Sequence, residues 1–193
     1  MGKINIPSNG CCTFSDEILE KLYASGLKRR KKISYKLYTN NRELQLECPL
    51  IKSPDHENIV LWPAFKLPYR KYPVYVYLYA AALYLSTDLS MRKVAAKVRK
   101  TFGLDKFSHS TVSRSLKKLT MIIEELFILL AAGNNNVFQT ENLVPRKKWD
   151  TTRMDQYRKL LHILLPILNR SQTEEYGSLL NYRYFRGTKK FIL

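Results

Sequence analysis

Cysteine, glycine and proline are scarce in this chain, and acidic residues are heavily outnumbered. Three cysteines in 193 residues, two of them adjacent as Cys11 and Cys12, do not make the paired framework that staples small secreted domains. With only 7 Gly and 8 Pro the chain is not collagen-like, and a hydrophobic share of 45% sets it apart from mainly disordered sequences. Long apolar runs are missing as well. MIIEELFILLAA and LLHILLPIL are interrupted by Glu124, Glu125, His162 or Pro166, whereas a membrane span needs about 20 apolar residues. The opening MGKINIPSNGCC lacks the apolar stretch of a secretion signal, and Ile6 stands where a myristoylated Gly2 would want Ser or Thr. A cytoplasmic, reducing location without a membrane partner is the expectation.

Several catalytic signatures are absent too. There is no Gly-rich phosphate loop, no GxSxG and no dinucleotide fingerprint, and His56, His109 and His162 are too scattered for HExxH-type ligand spacing. A carboxylate-type transposase needs acidic residues converging on two metal ions. After residue 120 the acids are Glu124, Glu125, Glu141, Asp150, Asp155, Glu174 and Glu175, in segments that read as helix or loop. Tyrosine recombination would need a nucleophile inside a cationic cluster, which RYFRGTKK, with Tyr184 between Arg183 and Arg186, matches only superficially. The expectation is a protein that is not an enzyme, with no cofactor and no catalytic residues.

What the sequence does have is positive charge. Lys and Arg total 33 against 16 Asp and Glu, a formal net charge of +17 and a pI near 9.8. Such an excess repels itself unless a polyanion is near, which puts nucleic acid first among partners, an anionic membrane surface second, and a merely solvated basic surface beside them.

Along the chain, 15 to 26 reads as a helix, with Ser15 as N-cap, Asp16 and Glu17 in the first turn, Ile18, Leu19, Leu22 and Tyr23 on one face, and Gly26 as the stop. Ile33, Tyr35 and Leu37, then Leu44 and Leu46, alternate with polar residues around Asn40 and Asn41, the pattern of a β-hairpin; IVLW at 59 to 62 adds a short strand. VYVYLYAAALYLS alternates like a strand at first, but its length, its Ala run and the preceding Pro73 predict a buried helix. Over 90 to 102, Met91, Val94, Ala95, Val98 and Phe102 keep helical spacing, with Arg92, Lys93, Lys97, Arg99 and Lys100 between them and Gly103 as the end. A second helix starts near Ser108, with Val112, Leu116, Leu119 and Ile123 inward, and continues toward Ala132. GNNNVFQTENLVPRKK at 133 to 148 reads as a linker. A helix with a kink at Pro166 spans 150 to 169, Ser171 and Glu174 have capping-box spacing for a further short helix, and NYRYFRGTKKFIL is a basic aromatic tail.

The helices near 90–102 and 108–119, joined by GLDKF, have the proportions of a helix-turn-helix. In that arrangement Ser110, Thr111, Ser113, Arg114, Lys117 and Lys118 on the second helix, with Arg92, Lys93 and Lys97 on the first, would face DNA. Hydroxyls at a helix start can meet phosphates, and arginine can read guanine bidentately. The same residues also fit a capped surface helix facing water. Nine Lys and Arg against two Asp and Glu over 88 to 120 favour DNA. Lys28, Arg29, Arg30, Lys31 and Lys32 add a second basic run suited to phosphate contacts; with Tyr35 and Tyr38 nearby it also suits single-stranded or RNA binding.

Cys48-Pro49, IVLW, LPYRKY at 67 to 72 and STVSR at 110 to 114 together resemble proteins of bacterial mobile elements, in which a small zinc-ribbon-like hairpin module precedes a transposase-type helix-turn-helix. The resemblance covers about residues 28 to 120. It implies transposon-related DNA binding and a ribbon at the N-terminal side. The ribbon is degenerate: Ile51 stands where a CxxC knuckle would place its second cysteine, so a metal-free module is expected, with Cys11 or Cys12, Cys48 and His56 as a three-ligand alternative.

The expected fold is mostly α with a small β-hairpin module and a helix-turn-helix core. Its divisions are 1–66 (N-terminal helix and degenerate ribbon-like hairpin), 67–132 (helix-turn-helix), 133–148 (linker) and 149–193 (helical region with basic tail). The expected function is non-catalytic recognition of duplex DNA by a mobile-element or phage-type protein. Leu160, Leu161, Ile163, Leu164, Leu165, Ile167 and Leu168 suggest surplus apolar surface, hence a homodimer or a mobile-element protein partner. The alternatives are a protein-interaction subunit or inhibitor of a larger complex, and a single-strand or RNA binder.

Overall fold

The structure, a computed structural model, describes residues 3–5, 28–39, 42–52, 58–131 and 151–193. The helix expected at 15 to 26, the Asn40-Asn41 turn, the linker at 133 to 148, and Cys11, Cys12 and His56 lie outside the described residues.

Alternating apolar residues build the sheet. Strands β1 (Lys3–Asn5), β2 (Lys28–Thr39), β3 (Arg42–Lys52) and β4 (Asn58–Leu61) lie in the order β1-β4-β3-β2. β2 and β3 pair antiparallel as the expected hairpin, with Tyr35 opposite Leu46 and Leu37 opposite Leu44, and an irregularity between Arg29 and Lys31. β4 adds antiparallel to β3, and β1 pairs parallel with β4. Cys48, Leu50, Val60 and Trp62 form a small buried cluster against which Tyr35, Leu46 and, from the far end of the chain, Phe191 pack. The Tyr35 ring meets Trp62 edge-on at 4.5 Å between centroids.

The rest of the described chain is mainly helical. α1 (Val74–Ser86) follows Pro73 and is buried at every position but Tyr84 and Ser86. A helix walled in by neighbours needs apolar residues all round, and this is why its sequence shows no clear helical period. α2 (Met91–Phe102), α3 (His109–Met121), α5 (Met154–Leu164) and α6 (Thr173–Thr188) all pack on it. Gly177 on α6 permits one of these contacts, since a β-carbon there would come within 2.9 Å of the Tyr75 Cα. The long helix expected from Ser108 toward Ala132 is divided at Ile122, and α4 (Ile123–Ala131) follows.

At Pro166 the expected kink is a full stop: α5 ends at Leu164 and Leu165–Leu168 forms a 3-10 turn. The capping box expected at Ser171 does not form. Its hydroxyl instead approaches Asn169 Oδ1 at 2.9 Å, and the helix begins at Thr173, whose hydroxyl donates to the Ile167 and Asn169 carbonyls. Nor is that helix short, because α6 takes in most of the segment expected as a tail and buries Tyr184 and Phe185.

Of the residues expected to leave surplus apolar surface, Leu160, Leu161, Ile163, Leu164 and Ile167 lie in the chain's own core around α1, Leu168 packs against it half-buried, and Leu165 is exposed. Asn181, fully buried, ties the layers: its amide donates to the Ala64 carbonyl at 2.7 Å and its Oδ1 accepts from the Ile192 amide at 3.2 Å. No helix among the described residues is long and apolar enough to cross a membrane.

Candidate nucleic-acid interface

Two capped helices and a six-residue connection make the candidate surface. Ser90 caps α2, accepting from the Lys93 amide at 3.4 Å, and Gly103 ends it in the left-handed region at φ 55°. A residue with a β-carbon is strained in that conformation. Leu104 and Phe107 anchor the connection in the core, where Phe107 packs against Tyr72 at 5.5 Å and Tyr77 at 6.0 Å. Arg99 Nη1 donates to the Phe107 carbonyl at 2.8 Å, so this arginine fastens the connection to α2. From the C-terminal side, Arg170 donates to the Thr101 carbonyl at 2.6 Å and lies 4.6 Å from the Phe102 ring centre.

α3 starts on Ser108, whose hydroxyl accepts from the Thr111 amide at 3.2 Å. The Ser110 and Thr111 hydroxyls lie 2.9 and 3.0 Å from the same oxygen, so both take part in the cap. Val112, Ser115, Leu116 and Leu119 turn inward, and the Ser115 hydroxyl donates to the Thr111 carbonyl at 2.9 Å. Ser110, Arg114, Lys117 and Met121 recur at i, i+4, i+7 and i+11 on the opposite side. Of these Arg114, Lys117 and Met121 are exposed, with exposed Ser113 on one flank and exposed Lys118 on the other. Arg114 Nε donates weakly to the Ser110 carbonyl at 3.4 Å, which draws the guanidinium toward the start of the helix.

Arg92, Lys93 and Lys97 are exposed on α2. Arg29, Arg30 and Lys31 stand on β2 around its irregular register, with side chains outside the described structure. The candidate residues of α2 and α3 therefore share one helix pair, and the β2 cations belong to the sheet.

Lys118 has a second setting that the sequence did not reveal. It lines a cavity of about 790 Å³ with Pro68, Tyr69, Arg70, Met121, Ile122, Glu125, Tyr184, Lys190, Phe191 and Leu193. Tyr69 adopts φ 58°, and its side chain is 82% exposed. The sole sequence signal for this place was LPYRKY, quoted above for its resemblance.

Two of the remaining candidates are buried. Tyr184 donates to Glu125 Oε2 at 2.5 Å, and burial together with that bond pushes its hydroxyl up to about 12. Burial likewise pushes the Cys48 thiol up to about 12, so it packs as a small apolar side chain. Among the described residues no three His, Cys, Asp or Glu side chains gather as a metal site. His109 is exposed at the start of α3, and His162 is half-buried on α5. No family model matches the chain, and no curated protein or solved structure matches it either.

Proposed function

We propose that this chain binds duplex DNA without catalysing a reaction on it, using α2, the connection at 103 to 108 and α3 as a helix-turn-helix. In this reading α3 enters the major groove. Arg114 reads base edges, Ser113 and Lys117 contact the groove and its phosphates, and Arg92, Lys93 and Lys97 on α2 hold the flanking backbone. Ser110 and Thr111, which belong to the cap, act by presenting the helix start to a phosphate. The observation that carries the reading is the exposed Arg114–Lys117 stripe on a helix whose start is fixed by Ser108 and whose opposite side is buried. A chain of net charge +17 has the sequence-independent attraction that such binding needs. The lysines and arginines of β2 extend the phosphate contacts, and the order of hairpin module before helix pair fits a mobile-element or phage-type DNA-binding protein.

Selection from a random duplex library tests this directly. Enrichment of a short motif by the wild-type chain, lost by Arg114→Ala, is the expected result. Binding that Arg114→Ala leaves unchanged in sequence preference would remove base reading by α3, and no duplex binding at low salt would remove the function altogether.

A further inference from the structure

The cavity beside α3 gathers chemistry that duplex recognition does not use. Three cations reach it from separate segments: Arg70 from the turn before α1, Lys118 from α3 and Lys190 from beyond α6. Among the lining side chains there is one carboxylate, Glu125, fixed by the Tyr184 hydroxyl at 2.5 Å. Cations outnumber the carboxylate, so the site favours an anion that also offers a hydrogen-bond donor to Glu125. An aromatic platform completes it. Tyr69 is 82% exposed at the cavity and sits in a backbone conformation, φ 58°, that L side chains rarely adopt. Met121 at the end of α3, also in the cavity wall, is 74% exposed. A volume of about 790 Å³ falls among ligand clefts, which run from roughly 300 to 1,000 Å³.

We infer that this cavity binds a nucleotide unit of single-stranded DNA, its base stacked on Tyr69, its exocyclic amine directed to Glu125 and its phosphates held by Arg70, Lys118 and Lys190. Stacking on an aromatic ring inside a basic groove is how unpaired strands are held without sequence readout. The inference builds on the proposed DNA-binding helix, because Lys118 and Met121 belong both to α3 and to the cavity wall. A duplex seated on α3 would deliver a frayed or overhanging strand to this place. The preferred DNA is then a junction between duplex and single strand.

Fluorescence anisotropy with the full chain tests it on a blunt duplex, the same duplex with a four-nucleotide overhang, and the single strand alone, with deoxycytidine monophosphate as a competitor. The overhang is expected to raise affinity about tenfold, the scale of one stacked base. Tyr69→Asn, which tolerates the left-handed backbone but removes the ring, and Lys190→Ala are expected to abolish that gain and leave blunt-duplex binding unchanged; Tyr69→Phe keeps it. Arg114→Ala is expected to weaken both duplexes while preserving their ratio. Equal affinity for blunt and overhanging duplexes would overturn the inference, as would an overhang gain that survives Tyr69→Asn. If no duplex binds but the single strand does, and Tyr69→Asn weakens it, the helix reading fails and the cavity assignment stands. Binding of the free monophosphate with no overhang gain would overturn the strand as its source.

Discussion

Tyr184 and Cys48 carry the clearest consequences of burial at the level of single residues. Burial first, and the bond to Glu125 second, raise the Tyr184 hydroxyl from 10.0 to about 12, while burial raises the Cys48 thiol from 9.0 to about 12. Both groups are more readily deprotonated in the unfolded chain than in the fold. Their contribution to stability is complete below the unfolded values and disappears as pH climbs through the folded ones. Denaturant unfolding should therefore give a flat stability near neutrality and a fall between about pH 9 and 12. Tyr184→Phe should flatten the upper part of that fall and cost about 1 kcal/mol at pH 7 through the lost bond. An alkaline slope identical in the variant would mean that Tyr184 does not hold its proton as described. Lys66, buried and donating to the Arg70 carbonyl, shifts the opposite way because burial disfavours its charge.

Among elements, α3 depends most on local chemistry, since the Ser108 hydroxyl gathers the Thr111 amide and two neighbouring hydroxyls. Ser108→Ala should cost about 1 kcal/mol, measurable as a lowered unfolding midpoint, and should weaken DNA binding by loosening the helix start. Gly177→Ala should cost roughly 1–3 kcal/mol by overpacking α6 on α1, and a midpoint equal to wild type would show that the two backbones can separate freely. Such local features were largely legible in the sequence: Gly103 as a stop, Ser108 at a start, and Val94, Ala95, Val98 and Phe102 inward. The alternation of apolar residues likewise marked the β2–β3 hairpin. What was not legible depended on competing local bonds or on segments far apart in the chain. Ser171 had capping-box spacing, yet Asn169 holds its hydroxyl and the helix starts later. RYFRGTKK reads as a basic aromatic tail because its charges hide that Tyr184 and Phe185 are buried on α6. The cavity was hidden for the same reason, being assembled from Tyr69, Lys118 and Lys190, which are far apart in sequence.

In the molecule as a whole, helices surround α1, the sheet cluster is closed by Phe191, and Asn181 joins the segment at Ala64 to the chain's last residues. Asn181→Ala should destabilise the chain by about 1–3 kcal/mol, because both partner groups are left unsatisfied in the interior; a calorimetric transition at the wild-type temperature would contradict that role. Because the apolar residues of α5 are used internally, light scattering is expected to find one copy per particle without DNA, so that any pairing of copies takes place on paired half-sites. Removing one of the cations proposed to contact phosphate, as in Lys97→Ala, should reduce the slope of log affinity against log salt by about 1 and leave sequence preference intact. The central claim is that α3 is the face that meets bases, and site-specific cross-linking tests it most directly. A photoreactive side chain at Ser113 should cross-link to bases of a selected duplex, whereas the same group at Leu179, exposed on α6, should not. Base cross-links from Leu179 and none from Ser113 would contradict the account.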